Sequence, residues 1–285
     1  MDFPEQHPCF SQKCPTSYGR IHLPVAPNCN IFCRFCCRGV TESDQQPGQT
    51  ARLLKPQEAL DVMDLALILC PDIKVAGVAG PGDPLASPEA LDTLLLIKEK
   101  YPWIMACLST NGLALAASME KLLIAGVETL TVTVNAVNPA VLENINRGVL
   151  IDGQFAGRRY GAEMLIAAQE EGIRLACQNH LIVKINTVLV PGVNDGHVAQ
   201  IAETTKKWGA ELINIIPLIP SGELINCQAP SQEEQAAAIL AAEKHLTVKR
   251  NCRRCRADAC GIPGGPDYAK TIYGNLNFAE TFSHG

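Results

Sequence analysis

Apolar and polar residues follow two alternating periods between residues 20 and 245. Short apolar runs rich in Val and Ile alternate with longer segments whose apolar positions recur at helical spacing. This pattern predicts strands at residues 21–26, 74–79, 104–108, 129–134, 181–190 and 212–217. It predicts helices at residues 56–69, 88–100, 115–125, 157–171, 197–208 and 231–244.

This series of strand–helix units predicts an α/β protein with a parallel sheet, which we interpret as a partial TIM-type (βα)6 barrel. A doubly wound open sheet is the alternative, because it also places its site at the carboxyl ends of the strands. We expect three parts: an N-terminal extension at 1–20, the barrel at 21–245 and a C-terminal extension at 246–285.

Composition narrows the possible partners. The chain has 285 residues, of which 47% are hydrophobic, so it can bury a sizeable core. Its net charge is −5 and 19% of its residues are charged, which gives no basic footprint for nucleic acid. No apolar run approaches the roughly 20 residues of a membrane helix, and residues 1–20 are too polar and proline-rich for a secretory signal. We expect a cytoplasmic protein without nucleic-acid or membrane partners.

The chain contains 13 cysteines, an odd number that favours metal ligation over a disulfide framework. Cys29, Cys33 and Cys36 form a CxxxCxxC triplet directly after the first predicted strand. Three thiolates can ligate three irons of a [4Fe–4S] cube and leave the fourth iron open to an exogenous ligand. A zinc site is the alternative, with Cys37 or His22 as the fourth ligand.

Polar motifs follow the other predicted strands at their carboxyl ends, where a barrel places its active site. The second strand leads into Gly80-Pro81-Gly82-Asp83, in which the glycines permit close backbone approach. The remaining candidates are Ser109 and Asn111 after the third strand, Thr133 and Asn135 at the end of the fourth, and Asn186 on the fifth. A tight turn is the structural alternative for the glycine-rich segment, and a solvated strand face is the alternative for Thr133 and Asn135.

A second group of candidates consists of cysteines and histidines. Cys252 and Cys255 lie among four arginines that would lower thiolate pKa, which favours an additional cluster. Cys107 lies at a strand end, and His22 precedes the triplet, so both are candidate ligands. His197 and His245 are expected to be solvated. Cys70, Cys177 and Cys227 are expected to be small buried hydrophobes.

The triplet and the glycine-rich turn resemble those of radical S-adenosylmethionine (SAM) enzymes. This resemblance implies that SAM binds the open iron through its amino and carboxyl groups. It implies further that Gly80, Gly82 and Asp83 hold the methionyl ammonium, and that the backbone around Ile185 flanks the adenine. The polar residues at the strand ends would contact the remaining SAM oxygens.

Longer segments resemble the NifB family, the radical SAM enzymes of nitrogenase cofactor assembly, in its short form without an appended carrier domain. The matching segments are HPC at 7–9, HLPVAPNCNIFCRFC at 22–36, AGPGDPL at 79–85, CLSTNGL at 107–113, VKINTVLVPGVND at 183–195, PLI at 217–219 and CRRCRADACG at 252–261. The resemblance implies fusion of two [4Fe–4S] precursors, with an added sulfur and a SAM-derived carbide, into an [8Fe–9S–C] cluster. Cys9, His22 and Cys107 would hold one precursor, and Cys252 and Cys255 the other. Iron–sulfur donor and cofactor-carrier proteins would be the partners.

The chain departs from the family pattern just beyond the triplet. Residues 38–46 contain no cysteine where the family has one, and Cys37 or Cys14 is the candidate substitute. Cys260 is an addition to the family's CxxC pair. Two other functions stay open: a radical SAM enzyme acting on a peptide or small molecule, and a non-catalytic iron–sulfur carrier.

Overall fold

The computed structural model of the protein describes residues 5–11, 17–37, 39–40, 48–252 and 255–273. Its strands are β1 (Gly19–His22), β2 (Ile31–Cys33), β3 (Gly39–Val40), β4 (Gln49–Thr50), β5 (Ile73–Val78), β6 (Met105–Thr110), β7 (Val127–Thr133), β8 (Asn146–Ile151), β9 (Gln154–Gly157), β10 (Ile182–Leu189), β11 (Leu212–Pro217), β12 (Thr247–Val248) and β13 (Cys260–Gly261). Its α-helices are α1 (Pro56–Leu69), α2 (Glu89–Lys100), α3 (Met119–Ile124), α4 (Pro139–Leu142), α5 (Arg158–Gln178), α6 (Val198–Trp208), α7 (Gln232–Glu243) and α8 (Ala269–Tyr273).

The main sheet has the strand order β12-β11-β10-β7-β6-β5-β1-β13. From β1 to β11 the six long strands are parallel, and each lies beside its neighbour in the series. A doubly wound sheet would reverse its order at a switch point, and no reversal occurs here. The fold is therefore the partial TIM-type barrel that the sequence predicts.

Two strands from the C-terminal part of the chain, β12 and β13, complete this sheet at its edges. At one edge, β13 pairs antiparallel with β1 through Arg20↔Gly261 and Ile21↔Cys260. At the other edge, β12 pairs in parallel with β11. Both pairings bring residues from the end of the chain to the barrel.

The predicted elements occur with shifted ends. Strand β1 is predicted to reach residue 26 but ends at His22, two residues before Pro24, which has no N–H for a strand ladder. Helix α3 begins four residues later than predicted, because residues 113–118 form turns on the end of β6. Helix α5 extends to Gln178, seven residues beyond the predicted end.

The structure also contains a small antiparallel sheet of order β2-β8-β9, which was not predicted from the sequence. Its hairpin turns at Asp152 and Gly153, whose φ angles are +51° and +75°. Positive φ at both positions is the geometry of a type I′ turn, for which Asp-Gly is a preferred sequence. The sheet supports the cysteine loop, since β2 contains Cys33 and pairs with β8.

The core lies between the main sheet and its helices. The largest side chains that are fully buried there include Ile21, Leu94, Leu108 and Leu130. A second, smaller apolar cluster packs the β2-β8-β9 sheet against α5 through Ile31, Val149 and Leu165. Both clusters leave the carboxyl ends of the barrel strands open for a site.

Candidate active site

Two cavities lie at the carboxyl ends of the barrel strands. The first cavity has a volume of about 270 Å³ and the second about 320 Å³. They adjoin, because five residues line both: Ala79, Ser109, Asn186, Ile216 and Pro217.

The first cavity is lined by all three cysteines of the triplet, Cys29, Cys33 and Cys36, each partly exposed. The loop that carries them is held by backbone bonds on both sides. The Arg34 amide donates to the Ile145 carbonyl at 2.9 Å, and the Cys36 amide donates to the Cys33 carbonyl at 3.1 Å. The structure therefore gathers the triplet around one open space.

Among the described residues, no group of three or more His, Cys, Asp or Glu side chains is arranged to hold a metal ion. The zinc alternative gains no support from them, since zinc needs its ligands on one centre. A four-iron cube has a different requirement, because each cysteine binds its own iron. The first cavity provides three soft thiols around an open space, which suits that donor set.

The turn after β5 packs against the cysteine loop. The Gly82 amide donates to the Ala26 carbonyl, and the Asp83 amide donates to the Asn28 carbonyl, both at 2.7 Å. A Cβ at Gly82 would lie 1.9 Å from the Asn28 oxygen, so only glycine fits this approach. Gly80 has φ +129°, which also favours glycine.

Asp83 is buried, 4% exposed, and joins this turn to the end of β6. Its carboxylate accepts hydrogen bonds from the Asn111 amide at 2.6 Å, the Leu85 amide at 2.9 Å and the Thr110 hydroxyl at 3.0 Å. It also lines the first cavity. Most of its acceptor capacity is thus used within the protein.

The other residues predicted to contact SAM divide into two groups. The first cavity is lined by Gly82, Asp83, Ser109, Asn111, Thr133 and Asn186. Gly80, Asn135 and Ile185 are not among the residues that line it. Ile185 is fully buried in the core. The Asn135 side chain accepts from the Val188 amide at 2.9 Å, which ties the end of β7 to β10.

The second cavity brings together the candidate ligands that lie far apart in sequence. Its lining includes Cys9, His22, Cys107, Cys252 and Cys255. Four segments deliver them: the N-terminal segment, strand β1, strand β6 and the segment that follows β12. These residues were predicted one at a time, and the fold places them around one space.

Burial shifts the pKa of Cys9, Cys107 and His22. It raises the pKa of the Cys9 thiol to about 12, and the nearby Lys184 ammonium opposes that shift. Burial also raises the pKa of the Cys107 thiol, and the Lys184 ammonium again opposes the shift. Metal binding to such thiols must therefore release protons.

His22 is held as a neutral imidazole. Burial and then the Arg20 charge lower its pKa to about 4. Its Nδ1 lies 3.0 Å from the Arg256 carbonyl oxygen, which can only accept, so Nδ1 carries the proton. This leaves the lone pair on Nε2. A metal-binding histidine is commonly oriented by such a bond to a backbone carbonyl.

Arg20 supports the opposite wall of the second cavity. Its guanidinium donates to the Cys255 sulfur at 3.1 Å and to the Gly261 carbonyl at 2.6 Å. Of the arginines predicted to flank this pair of cysteines, Arg253 and Arg254 lie outside the described residues. Arg256 forms a buried ion pair with Asp258 at 2.8 Å.

The remaining cysteines lie apart from the second cavity. Cys37 is exposed and lines the first cavity directly beside the triplet. Cys260 is buried on β13, where burial raises its pKa to about 12. Cys227 is exposed, contrary to the expectation of burial, because it lies in the turns between β11 and α7. Cys14 lies outside the described residues.

Several residues that organise the site had no clear sequence signal. Gln169 on α5 is buried and donates to the carbonyls of Asn111 and Thr133, at 2.7 and 2.9 Å. His197 was expected to be solvated but is buried, and its Nε2 accepts from the Val137 amide at 3.1 Å. Lys184 was the exception. A single lysine within a strand that was predicted to be buried is itself a sequence signal.

In the part of the chain that the structure describes, no helix has the length and apolar character needed to cross a membrane.

Comparison with known proteins agrees with this geometry. Residues 23–205 match the family model of the radical SAM superfamily. The FeMo cofactor biosynthesis protein NifB of Methanocaldococcus infernus is 42% identical over 273 residues, which cover 95% of this chain and 90% of that protein. NifB of Methanocaldococcus jannaschii is 43% identical over 258 residues, covering 90% and 86%. NifB of Azotobacter vinelandii is 35% identical, covering 91% of this chain but 53% of that longer protein.

Solved structures share the fold. A radical SAM methyltransferase from Sphaerobacter thermophilus superposes with a TM-score of 0.58 at 18% identity, covering 82% of this chain and 66% of that one. Native anSMEcpe with bound AdoMet gives a TM-score of 0.54 at 15% identity, covering 80% and 63%. The family model and the identities with its relatives show that the chain is a radical SAM enzyme, a member of the NifB family.

Proposed function

We propose that this enzyme fuses two [4Fe–4S] clusters, with an added sulfur and a carbide derived from a SAM methyl group, into the [8Fe–9S–C] precursor of the nitrogenase cofactor. The observation that carries this proposal is the second cavity. Four cysteines and a histidine line it directly beside the triplet's cavity. A radical SAM enzyme acting on an organic substrate does not need that concentration of soft ligands.

The first cavity is proposed as the radical-generating site. Cys29, Cys33 and Cys36 would hold the resident [4Fe–4S] cluster, and this cluster, when bound, supplies the electron that cleaves SAM to the 5′-deoxyadenosyl radical. The chain's own residues set the place of SAM. Gly82 allows the turn to approach the cysteine loop closely, and Asp83 fixes that turn to the end of β6 through the Thr110 hydroxyl and the Asn111 amide.

We propose that SAM is held by both groups of residues described above, those that line the first cavity and those that do not. Ser109, Asn111, Thr133 and Asn186 line the first cavity and present hydroxyl or amide groups. Gly80, Asn135 and Ile185 would act through backbone position, since they are not among the lining residues. The wall that the two cavities share would bring SAM close to the substrate.

The second cavity is proposed to bind the iron–sulfur substrates. Cys9, His22 and Cys107 would hold one precursor, and Cys252 and Cys255 the other. The neutral His22 imidazole and the cysteine thiols that line the second cavity suit iron, which takes soft sulfur and imidazole ligands. We propose Cys37 or Cys14 as a further ligand, and we retain the division into extensions at 1–20 and 246–285 around a barrel at 21–245. Iron–sulfur donor and cofactor-carrier proteins would deliver and receive the clusters.

The test is an anaerobic assay with SAM and dithionite. We expect 5′-deoxyadenosine to form and the product to activate cofactor-deficient nitrogenase. Cys107→Ala should abolish this activation, whereas Cys227→Ala, an exposed cysteine outside both cavities, should retain it. Deoxyadenosine formation without activation by the unmodified enzyme would refute cofactor assembly and favour a peptide or small-molecule substrate.

A further inference from the structure

A buried lysine lies in the wall of the second cavity. Lys184 on β10 is only 4% exposed and lines that cavity. Its ammonium donates to the Cys9 carbonyl at 3.2 Å and lies 4.7 Å from the centre of the Phe10 ring. Neither contact supplies a negative charge. The contacts do hold the ammonium beside a cavity-lining cysteine.

The wall around Lys184 is cationic. Among the described residues, those that line the second cavity include Lys184, Lys249 and Arg250 but no aspartate or glutamate. Arg250 is exposed and paired with Glu243 at 2.6 Å, so its charge is compensated. Lys249 is buried and donates to the Ser11 carbonyl. No ion pair of Lys184 occurs among the residues that the structure describes.

A buried charge is unfavourable unless it is paired. The second cavity therefore calls for an anionic occupant that supplies the missing charge. A reduced iron–sulfur cube meets this need. A [4Fe–4S]⁺ core bound by the thiolates of Cys9 and Cys107 and by the neutral His22 is a net anion, whereas the oxidised [4Fe–4S]²⁺ core with the same ligands is neutral. A neutral organic substrate would leave the Lys184 ammonium uncompensated beside Phe10, which is fully buried.

We propose that Lys184 is a positioning residue whose ammonium is the counter-charge for the reduced, anionic iron–sulfur substrate in the second cavity. This inference rests on the proposed function, because it assigns the charge of the same substrate. The lysine acts through electrostatic attraction and does not ligate iron. Its hydrogen bond to Cys9 keeps one cysteine of the cavity in register with that charge.

The test uses protein in which Cys29, Cys33 and Cys36 are all changed to Ala, so that only iron in the second cavity contributes. In that background, Lys184→Met removes the charge at similar length, and Lys184→Arg keeps it. Lys98→Met is the control for loss of a lysine outside both cavities. Lys98 also donates to backbone carbonyls, at 3.0 and 3.3 Å, and unlike Lys184 it pairs with a carboxylate, that of Glu128, at 2.8 Å. After anaerobic reconstitution, cluster reduction potentials are measured by EPR-monitored titration and iron loss by reaction with a chelator.

We expect Lys184→Met to shift the potential to more negative values, because a nearby cation stabilises the more negative reduced cluster. Its irons should be released about tenfold faster. Lys184→Arg and Lys98→Met should match the parent. A purely structural role would lower the thermal midpoint of the apoprotein and leave the potential unchanged. If Lys184→Met fails to fold by circular dichroism, Lys184→Gln takes its place.

The outcomes separate the two proposals. A parent that binds no iron overturns the proposed function and this inference with it. A parent that binds iron, together with an unchanged potential and unchanged iron release in the neutral variants, overturns the role of Lys184 alone.

Discussion

At the scale of single residues, the shape of the first cavity depends on the Asp83 carboxylate, which accepts its hydrogen bonds from groups within the protein. Asp83 accepts from two backbone amides and one hydroxyl while it is almost fully buried. These bonds join the end of β5 to the end of β6. The geometry of both strand ends therefore depends on one side chain.

We predict that Asp83→Asn destabilises the apoprotein by about 2 kcal/mol, because the amide cannot accept from every donor that the carboxylate satisfies. Chemical denaturation measures this change. Asp61→Asn is the control, since Asp61 is exposed on α1. Equal stability of the two variants would contradict the structural role of Asp83.

The sequence predicts the candidate ligands better than the residues that hold the surrounding backbone in place. Cysteines are rare enough that their spacing indicates chemistry, and all five candidates Cys9, His22, Cys107, Cys252 and Cys255 line one cavity. Gln169 and His197 were missed because a polar residue at a buried position has no local signature. Their partners are backbone groups of segments 36 to 60 residues away in the chain.

At the scale of elements, the turn between β5 and α2 fits against the cysteine loop without room for a side chain. The Gly82 amide bonds to the Ala26 carbonyl, and the added Cβ would overlap the Asn28 oxygen. Any widening of this contact would move the loop that carries Cys29. Glycine here is a requirement of packing between two segments.

We predict that Gly82→Ala lowers the unfolding free energy by about 1–3 kcal/mol through overpacking, and that the variant binds less iron in the first cavity. Thermal unfolding and iron analysis after reconstitution measure the two effects. The control is Gly196→Ala, because nothing lies within 4 Å of a Cβ at Gly196. Full iron content in Gly82→Ala would show that the contact does not position the cysteines.

Elements of the strand–helix series were predictable, and strands outside it were not. Helix α1 and strand β11 have the predicted ends. The β2-β8-β9 sheet was missed although Asp152-Gly153 marks its hairpin. Its strand β2 has only three residues and pairs antiparallel with β8, so the period of the strand–helix units could not identify the sheet.

At the scale of the whole molecule, the order of the barrel strands followed from the series of strand–helix units. The strand pairing at the edges of the main sheet did not follow from that series. Strand β13 pairs with β1 across more than 200 residues of sequence, and no local pattern specifies that pairing. The same long-range closure creates the second cavity.

Burial of histidine makes the stability of the molecule depend on pH. Burial lowers the pKa of His197 below its ordinary value of 6.5, although a hydrogen bond with Gln200 opposes the shift. The unfolded chain then binds a proton more readily than the folded protein. The contribution of His197 to stability is therefore full above pH 6.5 and is lost as the pH falls toward the lowered pKa.

We predict that the unfolding free energy of the apoprotein decreases between pH 7 and pH 5, and that His197→Gln reduces the slope. Urea denaturation across this range tests the claim. An identical slope in the variant and in the unmodified protein would exclude His197 as a source of the dependence.

The most direct test of the central claim is the number of irons per chain after anaerobic reconstitution. A resident cluster and two substrate clusters predict about 12 irons, four for each cube. Replacing Cys29, Cys33 and Cys36 with Ala should leave about eight irons, held in the second cavity. About four irons in the unmodified protein, all lost on changing the triplet, would contradict an iron–sulfur substrate.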